Sequence, residues 1–263
     1  MGSMQCPYYI HRAATTALPF DPEDIVIRQT TTGGAFGGKE DFPSLLALHA
    51  ALLALKAGRP VKMVYNREED ILYTTKRHPS VISHRTGITE EGLLLASEID
   101  IVLDGGACTT LSPVVLQRAI LHAGGPYNIP DIRIRGRVVA TNTPPNGAFR
   151  GFGVPQSCFA VERHMDRIAG ELGMDPVELR RKNLLKNGDL FPFGQVMKEE
   201  ESLRTVFEEA LRRSDYYRKK EEFASSRKGS LRKGMGFSLF FHGGGFTGSG
   251  EEKISGKARV ALA

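Results

Sequence analysis

The 263-residue chain carries 35 Lys and Arg against 30 Asp and Glu, with 41% apolar and 25% charged residues. This is the composition of an ordinary globular protein, long enough for one large domain or two small ones. A net charge of +5 and a pI of about 9.1 favour anionic ligands only mildly. The cations are scattered, with no basic stripe interleaved with aromatics, so nucleic acid is not an expected partner.

Cys6, Cys108 and Cys158 form no Cys-x-x-Cys pair, which argues against a disulfide framework or zinc site and for a reducing, cytoplasmic setting. No apolar run has membrane-spanning length, so no membrane partner is expected. Met1-Gly2-Ser3 reads as an added leader outside the fold.

In chain order, Gln5-Cys6-Pro7-Tyr8-Tyr9-Ile10 opens on what is ordinarily surface, and Pro19 to Asp24 is a turn. Ile25 to Gln29 alternates apolar and polar residues and reads as a strand. Thr30-Thr31-Thr32-Gly33-Gly34-Ala35-Phe36-Gly37-Gly38-Lys39-Glu40 follows. Pro43 to Lys56 then reads as a helix, with proline suited to its first turn. A glycine cluster between strand and helix admits positive φ and close approach of a ligand. It is not a Walker loop, because Glu40 stands where Ser or Thr should follow Lys39, and its glycines lack the dinucleotide spacing. A cradle for another cofactor or anion and a plain turn both remain open. A phosphate-binding transferase is disfavoured by Glu40.

Gly58-Arg59-Pro60 stops the helix. Val61 to Tyr65 reads as a strand, Arg67 to Leu72 as a helical turn, Ser80 to Gly87 and Leu93 to Leu103 as a hairpin, and Pro113 to His122 as a short helix carrying Arg118. Ile132 to Thr141 is an alternating strand with Arg133, Arg135 and Arg137 on one face. That face is an anion site or, more commonly, a solvated sheet face. The stretch from Thr143 to Gln156 holds Phe149, Arg150 and Phe152 among glycines and prolines. Two phenylalanines in a loop suggest a pocket wall, since rings clamp planar ligands and Arg bonds at two points. A buried crossover is the alternative. Gln156 to Leu172 and Asp175 to Leu185 read as helices, the second capped by Asp175, and Ser202 to Arg213 and Asp215 to Ser226 as charged helices. Gly234 to His242 and Lys253 to Leu262 read as strands flanking the glycine-rich Gly243 to Gly250. The order predicts an α+β fold of two-layer α/β sandwich units with mixed or antiparallel sheets. A first part would cover residues 1–150, and a helix-rich, incomplete second part residues 151–263.

Four segments together resemble the molybdenum-binding subunit of xanthine dehydrogenases and aldehyde oxidases. They are Gly34-Ala35-Phe36-Gly37-Gly38-Lys39-Glu40, Lys76-Arg77-His78-Pro79, Ala148-Phe149-Arg150-Gly151-Phe152-Gly153-Val154-Pro155-Gln156 and Glu178-Leu179-Arg180-Arg181-Lys182-Asn183-Leu184. The resemblance implies that Gln5 bonds the apical oxo ligand of a molybdenum–molybdopterin cofactor. Phe36, Gly37 and Arg150 would contribute cofactor-binding backbone, with no side chain ligating the metal. Glu40, Arg118 and Phe152 fall at substrate-binding places, and the charged pair tilts the reading from aldehydes toward a purine or other N-heterocycle. A further ring-contacting phenylalanine falls near Leu239, Phe240 and Phe241.

The implied chemistry is hydroxylation with water as oxygen source, electrons leaving through iron–sulfur clusters to FAD or another acceptor on other subunits or domains. The family's general-base glutamate, in a Gly-Glu-Pro-type segment, has no counterpart here. The chain therefore resembles about the first half of the molybdenum-binding region, a fragment expected to be inactive without the rest of that subunit and the iron–sulfur and FAD partners. A non-catalytic binding fragment that retains the fold is the alternative.

Overall fold

The computed structural model describes residues 1–225 and 230–243. Among them the α+β class is observed. The helices are α1 (Pro7–Ala17), α2 (Pro43–Ala57), α3 (Arg67–Tyr73), α4 (Ser112–His122), α5 (Val154–Glu171), α6 (Pro176–Lys182), α7 (Glu200–Ser214) and α8 (Tyr216–Ser225). The strands are β1 (Lys76–Arg77), β2 (Ser80–Ile88), β3 (Leu94–Gly106), β4 (Asp131–Ala140) and β5 (Asn146–Gly147).

Two compact units interleave along the chain. The first comprises Met1–Ser83, Ile99–Ile120 and Ile134–Gln156; the second comprises His84–Glu98, Leu121–Arg133 and Ser157–Ala263. One sheet has the order β2-β3-β4, with β3 central, and β1 pairs with β5 in parallel. The connection between β2 and β3 is so short that the pair must be antiparallel, since a parallel pair needs a crossover. Along β3 burial alternates, with Ile99, Ile101 and Leu103 fully buried. The opposite face presents Glu98 and Asp100 to Arg133 at 3.9 Å, Arg135 at 3.8 Å and Arg137 at 3.3 Å. The arginine row is thus a solvated, charge-paired sheet face.

Local chemistry sets the helix ends. Pro43 begins α2, and Gly58 ends it at φ 62°. Asn66 and Glu69 close a reciprocal capping box on α3, with bonds of 2.9 and 2.8 Å. Asp175 Oδ1 accepts from the Val177 and Glu178 amides to start α6. That helix stops at Lys182, short of the expected Leu185. The Asn183 side chain accepts from Leu94 N and donates to Gly92 O and Leu179 O instead of presenting a helical surface.

The second unit has a closed apolar core of Leu94, Tyr127, Val161, Met165, Val177 and Phe207 with their neighbours. Inside it, the fully buried Arg180 meets Glu162 at 2.9 Å and Asp166 at 3.0 Å. Tyr127 Oη donates to the other Glu162 oxygen.

Several expected elements differ. Pro7–Ala17 is a helix although its aromatic and threonine content disguised it. Ile10 and Ala14, four residues apart, are its buried contacts. Met1-Gly2-Ser3 is not outside the fold: Gly2 N donates to Arg28 O at 3.1 Å, and Thr30 N donates to Gly2 O at 2.8 Å. Ile25 to Gln29 and Val61 to Tyr65 are not strands, apart from an isolated bridge between Gly2 and Gln29. They have the strand pattern but no ladder to join among the described residues. Gly234 to His242 is held by side chains instead of a ladder: Leu239 N donates to Glu162 Oε2 at 3.0 Å, and Phe237 packs edge-on against Phe207. The strand expected over Lys253 to Leu262, and the glycine run after Gly243, lie outside the described residues.

Candidate cofactor and substrate site

The first unit gathers the glycine-rich loop around Gln5. Gln5 N donates to Lys39 O at 2.7 Å, and its side-chain Oε1 accepts from Gly37 N at 3.0 Å and Lys39 N at 3.2 Å. Two backbone donors on Oε1 fix the amide's orientation, so Nε2 is the outward donor. Lys39 Nζ donates to Ser3 Oγ at 2.9 Å, tying the loop's end to the first residues.

The aromatic loop meets this one directly. Arg150 N donates to Phe36 O at 2.9 Å. Gly37, at φ 102°, lies so close that a Cβ there would stand 2.0 Å from Ala148 O. Glycine is therefore required at Gly37 by loop-to-loop contact as well as by conformation. Phe36 and Phe152 each adopt φ 53°. Left-handed backbone costs a residue with a bulky side chain about 1–2 kcal/mol, and such strain concentrates at functional sites.

Arg77 holds the aromatic loop by its main chain. Its Nη1 donates to Phe152 O at 2.9 Å and its Nη2 to Arg150 O at 2.8 Å. Strand β1 positions Arg77 through its pairing with Gly147. Sequence reading placed Arg77 inside a motif without giving it a role; a glycine-rich loop with carbonyls to satisfy was the available signal. Arg118, 7% exposed on α4, lies with its guanidinium carbon 5.8 Å from the Phe152 ring centroid. Helix α4 is fixed beneath the loop because Gly153 has no Cβ, whose place is 2.2 Å from Val115 O. Its first turn is tied down by Ser112 Oγ, 2.7 Å from His78 Nε2.

Glu40 ends the glycine loop, half-buried beside Asp41. Its pKa is raised by burial and by the neighbouring Asp41. Burial also raises Asp41 against the hydrogen bonds from its own and the Phe42 amides. Burial pushes up the Cys6 thiol, helped by both carboxylates. Anionic charge is thus disfavoured there, and N–H donors from a ligand would relieve it. Gln5, Phe36, Gly37 and Arg150 therefore join in one bonded group, and Arg118 joins Phe152. Glu40 forms no ion pair with Arg118 among the described residues. Of the three tail positions, Leu239 is buried in the second unit's core, Phe240 is exposed, and Phe241 stacks on His122 at 4.7 Å.

The sequence pattern of the molybdopterin cofactor-binding domain family matches residues 1–184. The chain belongs to that family, as the molybdenum-binding region found in xanthine dehydrogenase and aldehyde oxidase proteins. Among curated relatives, it is 44% identical over 223 residues to a probable xanthine dehydrogenase subunit of Bacillus subtilis, covering 85% of this chain and 29% of that one. It is 39% identical over 208 residues to the nicotinate dehydrogenase large molybdopterin subunit of Eubacterium barkeri, covering 79% of this chain and 48% of that one. The solved aldehyde oxidoreductase of Desulfovibrio gigas superposes with a TM-score of 0.74 at 36% identity, over 82% of this chain and 23% of that one. The chain thus spans less than half the length of these relatives.

The site's chemistry suits such a cofactor. The Gln5 carboxamide is oriented with its donor outward, and Phe36, exposed at the loop tip, carries an N–H with no acceptor among the described residues. Both are donors suited to oxo and phosphate oxygens.

Proposed function

We propose that this chain is the part of a molybdenum hydroxylase subunit that holds one side of the molybdopterin cofactor and orients a purine or other N-heterocycle for oxidation with water as oxygen source. The observation that carries this reading is the meeting of the two loops, where Arg150 N bonds Phe36 O and Gly37 touches Ala148. That contact supports the reading because the outward Gln5 and Phe36 donors and the Arg118–Phe152 pair then lie on one unit. Bound, the cofactor supplies the redox chemistry and an activated oxygen near neutral pH.

The chain's own residues then bind and orient. Gln5 Nε2 would donate to an oxo oxygen of the bound cofactor, and the Phe36 N–H, in the loop to which the Arg150 backbone is bonded, would face it. The Phe152 ring packs on the heterocycle. Arg118, already held against that ring, pairs with the substrate edge and favours anionic charge developing on it. Glu40 accepts from ring N–H groups, and its half-buried position makes a ligand donor preferable to water. Polar groups of this kind discriminate strongly against a substrate that lacks their partners.

On this reading the 263 residues alone do not turn over, because the general base and the rest of the cofactor site come from the remaining molybdenum-subunit polypeptide. Iron–sulfur and FAD partners, in the cytoplasm on this reading, would take up the electrons. The test is an assembled enzyme containing this chain, assayed with xanthine, nicotinate and benzaldehyde. Heterocycle oxidation that falls by about a hundredfold or more in Arg118→Met, at unchanged molybdenum content, supports the reading. Aldehyde turnover indifferent to Glu40→Ala and Arg118→Met overturns the substrate assignment and favours an aldehyde-oxidising relative.

A further inference from the structure

The turn that carries Phe152 leaves two carbonyls for a side chain to take. Within it, Phe152 N donates to Phe149 O at 2.6 Å and Val154 N donates to Gly151 O at 3.0 Å. Arg150 O and Phe152 O receive no backbone donor among the described residues. Both accept from one guanidinium instead: Arg77 Nη1 is 2.9 Å from Phe152 O and Nη2 is 2.8 Å from Arg150 O. The two oxygens converge in a turn whose Gly151 and Phe152 are both left-handed, at φ 85° and 53°. A planar fork engages two carbonyls at once in fixed geometry, which the point charge of an ammonium does not. The fork thus holds the backbone conformation that sets where the Phe152 ring stands.

Arg77 is itself held by its neighbours in sequence. On one side, Lys76 Nζ donates to Asp70 O at 2.7 Å, to Thr74 O at 2.9 Å and to Thr74 Oγ1 at 2.8 Å, fastening β1 to the end of α3. On the other, His78 Nε2 lies 2.7 Å from Ser112 Oγ at the start of α4, and His78 O accepts from Gln156 Nε2 at 3.2 Å. Strand β1 also lies close against β5, since a Cβ at Gly147 would stand 2.8 Å from Thr75 Cβ. A side chain supported in this way places its partners more accurately than one on a free loop. The same strand fixes Arg77 against the aromatic loop and, through His78, the helix that carries Arg118.

We propose that Arg77 is the positioning residue of the substrate wall. Its two bonds set the Phe152 ring where a planar heterocycle packs, and they tie that place to the glycine-rich loop through Arg150, whose N–H bonds Phe36 O. The proposal rests on the reading of Phe152 as a substrate contact. Arg77 acts through two main-chain oxygens, not on the reacting atoms. Its loss does not strand those oxygens, because Arg77 is only half-buried and water can replace it as donor. The fold therefore survives the substitution, while Phe152 is freed to relax from its left-handed backbone.

The test has two arms. In the first, 4-fluorophenylalanine replaces Phe152 in the 263-residue chain, where neither cofactor nor turnover is needed. Its fluorine resonance should be single and narrow with Arg77 present, and broadened or split in Arg77→Lys and Arg77→Ala. Added guanidinium ion should restore it in Arg77→Ala, and ammonium should not. In the second arm, the assembled enzyme is assayed with xanthine at matched molybdenum content. Arg77→Lys should lower kcat/KM by about tenfold to a hundredfold. Once Phe152→Ala is in place, it should cost less than about twofold more, since a residue acting through Phe152 has nothing further to lose there.

A merely structural role would give losses that add in the double variant and no rescue selective for guanidinium. Additive losses, or a fluorine spectrum unaffected by both substitutions, overturn the proposal. A parent enzyme inert toward xanthine removes the substrate assignment instead, and the fluorine spectra then decide on Arg77 alone.

Discussion

The two units solve the same folding problem to different degrees. The second closes on itself, with an apolar core around Tyr127, Met165, Leu179 and Phe207 and a guanidinium buried among carboxylates at its centre. The first carries the candidate site, two phenylalanines in left-handed backbone and a leucine-rich helix without one buried residue. The buried guanidinium of the second unit is paired by that unit's own carboxylates. The first unit spends stability on loop geometry and leaves apolar surface exposed, with two extended segments that join no ladder among the described residues. A region built to bind and a region built to hold are therefore separable in this chain, and substitutions should report which is which.

The largest effect is expected in the holding unit. Arg180→Ala leaves Glu162 buried without its cation, and Glu162 is also what Tyr127 and Leu239 bond to. Removing one partner of a buried pair costs about 3–5 kcal/mol, so urea unfolding should show that loss. A loss below about 1 kcal/mol would mean the network behaves as a surface pair, and the contrast between the units would go. In the binding unit, Gly37→Ala forces a methyl group into Ala148 O. Overpacking of this kind costs about 1–3 kcal/mol. The sharper readout is local: exchange at the Arg150 amide should quicken and molybdenum uptake in the assembled enzyme should fall, while the second unit's amides are unchanged.

Acid should also act on the holding unit. His84 lies 4.9 Å from His164, ring to ring, and burial followed by the charge of that second imidazole lowers its pKa to about 4. The pKa of His164 is lowered as well, by burial and then by Arg167; its Nε2 is 2.9 Å from Thr86 Oγ1. The folded state prefers neutral His84. Its contribution is therefore fully present above the unfolded value near 6.5 and is lost as pH falls from there through about 4. The melting temperature should drop across that window, and His84→Gln should flatten the drop. A parent protein with a flat profile between those limits would show that His84 is solvated.

Legibility in the sequence followed the same division. Helices α2, α5 and α7 and the β2–β3 hairpin were readable because each carries its own periodicity or caps. The strands expected at Ile25 to Gln29 and Val61 to Tyr65 have the pattern, but a strand exists only with a partner, and no local signal says whether one is present. Helix α1 was hidden because its two buried contacts, Ile10 and Ala14, sit among aromatics and threonines. Within the site, Gln5, Phe36, Gly37, Glu40, Arg118, Arg150 and Phe152 were named from the family resemblance that the motifs carry. What pattern could not supply was the work of Arg77, whose bonds run to carbonyls more than 70 residues away. The reason for Gly37 was equally out of reach, because it lies in the other loop.

The smallest effect separates the two phenylalanines. Both stand at φ 53°, and glycine at either position would relieve about 1–2 kcal/mol of left-handed strain while losing about 0.5–1 kcal/mol to the freer unfolded chain. Phe36 is 67% exposed, so its ring has little packing to forfeit, and Phe36→Gly should leave stability unchanged or raise it by about 0.5 kcal/mol. The Phe152 ring lies under Arg118, a contact of about 0.5–2 kcal/mol, so Phe152→Gly should be neutral to destabilising. If chemical denaturation instead shows Phe36→Gly to be the costlier change, the Phe36 ring is holding the loop. Its strained backbone is then a consequence of packing, and the case for a cofactor-facing amide at that position fails.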